Sequence, residues 1–147
     1  MSQESTPPPA AAEERKAAYA ILRLSLGVNI LLHGLVRLPH PLAFARTIAS
    51  QFAGTPVPEF AALGFSLALP FLESGVGLLL VLGWQTRWAL RAGSLVMVAL
   101  IAGTALRSDW HTLGVQVVYS IFYYLLHRDV SDNGFALDVW RRPAARG

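Results

Sequence analysis

Four long apolar runs separated by short polar breaks organise the chain. They cover about 19–38, 60–82, 88–106 and 110–127, and each approaches the roughly 20 residues needed to cross a bilayer core. A water-soluble bundle would show one apolar stripe per helix with polar residues opposite. These runs are apolar nearly all round, and inside lipid the backbone must satisfy its own hydrogen bonds. The pattern predicts an all-α integral membrane bundle of four transmembrane helices.

The flanks differ in kind. Residues 1–18 form a polar tail with prolines at 7, 8 and 9, its first part expected to be disordered and its end a helical lead-in. Residues 128–147 form a basic tail. The apolar run at Tyr19 is too long and too late for a secretory signal, and so reads as a retained span. Between the first two runs, Leu42, Ala45, Ile48, Ala49 and Phe52 recur at helical spacing with polar residues between them. That predicts a short surface helix stopped by Pro56 and Pro58, either an interfacial connector or a lid over the bundle.

Composition sharpens this picture. Apolar residues make up 54% of the 147 and charged residues only 14%, against about a quarter in soluble domains. The absence of cysteine excludes thiol chemistry, iron–sulfur clusters and covalent haem. The net charge of +3 fits membrane topology better than nucleic-acid binding, so the bilayer is the expected partner and nucleic acid is not. Arg15, Lys16, Arg23, Arg87, Arg91, Arg128, Arg141, Arg142 and Arg146 fall on one side, and Arg37, Arg46 and Arg107 on the other. Both termini are therefore expected to be cytoplasmic. Trp84, Trp88, Trp110 and Trp140 lie near the ends of runs, as membrane-interface aromatics do.

Ionisable groups at membrane depth are the candidates for function. Glu73 stands within the second run and shares a helical face with Ser66, Pro70 and Gly77. Arg23, Gly27, Ile30, Gly34 and Arg37 form a stripe on the first helix, where the glycines permit close approach. An Arg23–Glu73 ion pair is expected on depth, and it is either a helix-holding pair or a proton- or ligand-linked carboxylate. For Arg23 itself, snorkelling to the cytoplasmic headgroups is the favoured role. His33, one turn from Asn29, can relay a proton, bond a quinone oxygen or donate to a neighbouring helix. Bis-histidine haem is disfavoured, because His40, His111 and His127 fall at or beyond helix ends. In the fourth run Gln116, Tyr119 or Ser120, and Tyr123 fall on one face, either as a quinone-sized lining or as packing. No metal site is expected, and no nucleotide-binding, HExxH or GxSxG motif is present.

The runs Leu22–Gly27 and His33–Arg37, then Leu72–Gly77 and Leu82–Arg87, then Gly134–Asp138, together resemble the DoxX family over about 19–138. Arg37 stands where many of its members have lysine. The resemblance implies a multi-pass protein of the prokaryotic cytoplasmic membrane, a subunit of a quinone-linked redox or oxidative-stress complex with redox partner proteins. On that reading Glu73 and His33 carry the proton chemistry, while Arg23, Asn29, Gln116 and Tyr119 hold a quinone. A non-catalytic scaffold or assembly factor is the alternative. A small solute or proton carrier, working as a homo-oligomer, is a third.

Overall fold

The structure is a computed structural model and describes residues 8–140. Its elements are α1 (Pro9–Leu35), α2 (Pro41–Ser50), α3 (Glu59–Leu82), α4 (Thr86–Leu106), α5 (Trp110–Arg128), a 3₁₀ turn (Val130–Asp132) and α6 (Leu137–Trp140). The described residues contain no strand. Three helices, α1, α3 and α4, are long and apolar enough to cross a membrane. The fourth run does form a helix of 19 residues, but α5 falls short of that hydropathy because His111, Gln116 and His127 punctuate it.

The first helix begins ten residues earlier than the apolar run does. Pro9 supplies a preset φ at the first turn, and the alanine-rich stretch up to Ala18 has strong helix propensity, so the lead-in and the span are one rod. Its other end comes early, at Leu35, where the chain turns on Arg37 and Leu38 amides bonded to the Gly34 carbonyl. The expected disorder of the N-terminal residues falls on 1–7, outside the described residues, as do the basic residues of the tail beyond Trp140.

α1 and α3 make the tightest contact in the bundle, and glycine is the reason. A methyl group on Gly77 would overlap the Leu31 backbone, and one on Gly34 would overlap Ser74 and the Pro70 carbonyl. One on Gly27 would sit 2.9 Å from the Val81 amide. Small residues on facing helices permit this backbone-to-backbone packing in lipid. The three pairs also set one antiparallel register, in which Glu73 lies level with Leu35 and Arg23 level with Gln85.

Because α1 stops at Leu35, the first half of α3 runs on past it. α2 folds down against that stretch, burying Ala45 and Ala49. Polarity is inverted relative to a soluble protein: Arg23, Ser66, Glu73, Thr86 and Thr104 are buried, whereas Leu95 and Val98 on α4 are 71% and 64% exposed. Such a surface suits hydrocarbon and not water. Trp88, Trp110 and Trp140 are exposed at helix ends.

At the end opposite α2 the chain is tied into a latch. α3 closes with a Schellman turn in which Trp84 N–H bonds the Leu79 carbonyl, and Gly83 takes the required left-handed φ of 62°. Gln85 is also left-handed, which leaves the first amides of α4 pointing outward. Asp138 accepts from the Gln85 and Thr86 amides at 2.6 and 2.8 Å, and its own amide bonds the Gly83 carbonyl.

Candidate functional site

Glu73 is paired, but not with the arginine expected from depth. Its carboxylate accepts from Arg37 Nη1 at 2.5 Å, and Glu73 is only 9% exposed. The α1–α3 register explains the choice. Arg37 lies just past Leu35, level with Glu73, and the turn after α1 directs its side chain inward. Arg23 lies 14 positions earlier, roughly 21 Å along the helix axis.

Arg23 does not snorkel and does not reach the cavity described below. It is 2% exposed, and it donates to the Asn133 side chain at 3.2 Å and to the Phe135 carbonyl at 2.7 Å. Asn133 in turn donates to Thr86 Oγ1. Arg23 therefore fastens the segment after α5 to the α3–α4 turn, beside Asp138. Burial alone raises the Asp138 pKa, but the Thr86 and Gln85 hydrogen bonds and the Arg23 charge hold it below the ordinary carboxylate value.

Beneath α2 lies a cavity of about 270 Å³. α1 contributes Asn29, Ile30 and His33, and α3 contributes Leu69 and Glu73. Phe44 and Ile48 of α2 cover it, so the surface helix is a roof over the cavity. α4 supplies Met97, Leu100 and Thr104, and α5 supplies Thr112, Gln116 and Tyr119. Arg37 and Arg107 complete the wall. Five of the six residues selected from the sequence thus meet in one place. Arg23 is the exception.

The polar groups are arranged around an apolar floor. Tyr119 donates to Asn29 Oδ1 at 3.0 Å, bridging α5 to α1 where these helices touch only lightly. Arg37 stacks on Phe44 at 4.7 Å. Arg107 bonds Gln51 of the roof, lies 3.9 Å from Asp109 and stacks on Phe52 at 5.3 Å. Two buried atoms in this wall have no protein partner: the Arg107 Nε donor and the Gln116 Oε1 acceptor. Below Glu73 a further void of about 30 Å³, bounded by Tyr123 and Met97, is large enough for a water molecule.

Asp109 caps α5 through the Thr112 amide at 3.1 Å. Its pKa is lowered first by the Thr112 hydroxyl and amide, then by Arg107 and His111. Among the described residues no group of three His, Asp or Glu is placed to hold a metal ion.

Neither Arg37 nor Arg107 is among the six site residues that the sequence suggests; Arg37 stands in the stripe on the first helix, and Arg107 only among the topology charges. For Arg37 a signal existed, since it continues the Arg23–Gly27–Gly34 stripe that faces α3. Arg107 offered none, because only the descent of α2 over the bundle encloses a residue at that helix end.

No curated protein and no solved structure matches the chain. The family model described as methylamine utilisation protein MauE matches residues 15–117, 103 of the 147. That match covers every cavity-lining residue except Tyr119. It overturns the DoxX resemblance, which rested on five short glycine-containing runs, three of them around Arg23, His33 and Glu73 and the others at Leu82–Arg87 and Gly134–Asp138. The structure shows why those runs were poor identifiers: Gly27, Gly34 and Gly77 answer the general need of two membrane helices to touch backbones. Spanning 70% of the sequence, the match establishes that the chain belongs to the MauE family of multi-pass membrane proteins.

Proposed function

We propose that the chain is the membrane component of a methylamine-utilisation redox system, and that its roofed cavity binds a quinone ring and handles its protons. Electrons come from a redox partner protein, and the quinone takes them up with two protons. α5, about 28 Å long at 1.5 Å per residue, is the fourth crossing. The nine-to-three bias in basic residues supports cytoplasmic termini in a prokaryotic inner membrane, with the cavity near the outer face.

The observation that carries this reading is the convergence of a buried carboxylate, an exposed imidazole and two unmet hydrogen-bonding atoms in one apolar-floored cavity. The Arg107 Nε donor suits a quinone carbonyl, and Gln116 Oε1 suits a quinol hydroxyl. Glu73 and His33 both line the cavity and would exchange protons with the ring, and Asn29 and Tyr119 border it. Arg37 holds the Glu73 carboxylate in position. Arg23 has no part in this chemistry.

The test is gentle purification in detergent followed by absorbance and mass spectrometry of bound small molecules. Stoichiometric quinone, lost in His33→Ala, is the expected result, and Glu73→Gln abolishes turnover while insertion and folding persist. Normal turnover in Glu73→Gln removes Glu73 from the mechanism. Failure of added quinone to bind refutes the reading.

A second reading, a non-catalytic scaffold, draws on the way Arg23 and Asp138 hold the segment 129–140 firmly against the α3–α4 turn. Truncation after Trp140 tests it, because that cut spares the latch while removing the basic residues. Loss of a partner protein with the bundle intact would favour the scaffold.

A further inference from the structure

We infer that the ligand of the roofed cavity is an amphiphile with a long apolar chain, and that the chain lies in a separate groove between α3 and α4, open to the bilayer. This rests on the quinone reading and adds to it a substrate class, the isoprenoid-tailed membrane quinones, and a lateral path of access.

The groove has a volume of about 350 Å³. It runs between Phe65 and Ala62 on α3 and Ala99, Ala102 and Gly103 on α4, with Phe52 above it. Three small residues on α4 facing aromatic side chains leave a slot that larger residues would fill. Gly103 shows how little room remains at the upper end, since a methyl group there would meet the Phe52 ring at 3.2 Å. Ala99 and Ala102 are exposed, so the slot faces the space occupied by lipid.

Its position ties it to the polar cavity. The two share Ile48, Leu69, Leu100, Thr104 and Arg107 as a common wall. Leu69 and Thr104, at 4% and 2% exposed, are buried in that wall and border both spaces. The only charged group in the groove is Arg107, at the edge where it meets the polar cavity. The sequence of environments is therefore apolar slot, guanidinium, polar chamber, which is the polarity profile of a lipid-borne ring with a hydrocarbon chain. A ligand arriving from water would have no use for the slot. A ring carried in the bilayer would lose its favourable partitioning if its chain had to leave hydrocarbon, and the slot spares it that cost.

The experiment uses the full chain in nanodiscs and quinone homologues that share one ring and differ only in chain: none, one isoprene unit, and eight or more. Concentrations are expressed per lipid, so that partitioning cancels, and binding is followed by tryptophan quenching. Wild type is expected to bind the long-chain homologue at least about tenfold more tightly than the chainless ring. Ala102→Phe, which fills the slot from an exposed position, is expected to abolish that difference while leaving chainless binding unchanged. Ala99→Phe serves as the second variant should the first fail to fold.

Equal affinity for chainless and long-chain rings in wild type overturns the groove while the ring reading stands. So does an unchanged chain preference in both folded variants. Phospholipid that copurifies in the groove and is not displaced by the long-chain homologue also overturns it. Binding of no homologue at all brings down both readings.

Discussion

Replacing Arg37 by Met keeps the length and much of the apolar volume of the side chain but leaves the Glu73 carboxylate without its cation. The two groups are 2.5 Å apart, with side chains 28% and 11% exposed. Two unit charges about 4 Å apart attract by about 4 kcal/mol at an effective dielectric constant near 20. Removing one partner of a buried pair costs about 3–5 kcal/mol, and the partial exposure of Arg37 puts the expectation for Arg37→Met at the lower end, about 3 kcal/mol. Glu73→Gln is milder, about 1–2 kcal/mol, because its amide oxygen still accepts from Arg37 while the guanidinium keeps water and the Phe44 ring. In the double variant neither charge remains, so its cost falls short of the sum of the singles by about 1–2 kcal/mol. The assay is reversible SDS unfolding in mixed micelles, read by circular dichroism and tryptophan fluorescence. Additivity within about 0.5 kcal/mol, or a greater loss in Glu73→Gln than in Arg37→Met, would refute the reasoning.

Further expectations concern packing, the crevice, orientation and the latch. Gly77→Ala should destabilise by about 1–3 kcal/mol, because its methyl meets the Leu31 backbone, whereas Gly75→Ala, with open space around it, should not destabilise; the same unfolding titration reads both. Tyr119→Phe removes the bridge to Asn29 and should cost about 1 kcal/mol. It should also speed maleimide labelling of a cysteine introduced as His33→Cys, in a chain with no other cysteine. Thr47→Cys should react with a membrane-impermeant maleimide in intact cells and Ser131→Cys should not; the opposite pattern reverses the orientation. Asp138 has a lowered pKa, so its contribution is present above the ordinary carboxylate value of about 4 and is lost as pH falls through the folded value. Wild type should therefore lose stability between pH 6 and pH 3 relative to Asp138→Asn, and parallel pH profiles would sink the latch.

Helices were legible because their signal is local. Runs of Leu, Val, Ala and Ile without charges need no tertiary information, and the surface helix announced itself through Ala45 and Ala49, the two residues it buries. Glu73 stood out for the same reason, as a carboxylate within an apolar run. Its partner was not legible, because choosing between Arg23 and Arg37 requires the α1–α3 register. Gly27, Gly34 and Gly77 set that register, but they mark close approach without saying which glycine meets which residue. The second missing element was where α1 ends: it stops at Leu35, and Arg37 belongs to the turn closed on the Gly34 carbonyl. Arg107 was hidden for a third reason, since its enclosure depends on α2 and Gln51, 56 residues away in sequence.

The Asp138 latch bears on the order in which the chain is made. The amides of Gln85 and Thr86, at the start of α4, are satisfied by a carboxylate 53 and 52 residues further on. At a synthesis rate of about 5–20 residues per second, roughly 3–10 s pass between the appearance of the α3–α4 hairpin and that of its cap. For most of that interval Arg23 also lacks its acceptors on Asn133 and Phe135. Closure of the latch is thus a late step: the α3–α4 turn reaches its final form only after α5 has returned the chain to the end of the bundle where α1 began. A ribosome stalled before residue 138 should hold a protease-sensitive turn at 83–86, and one stalled well past the tail should not.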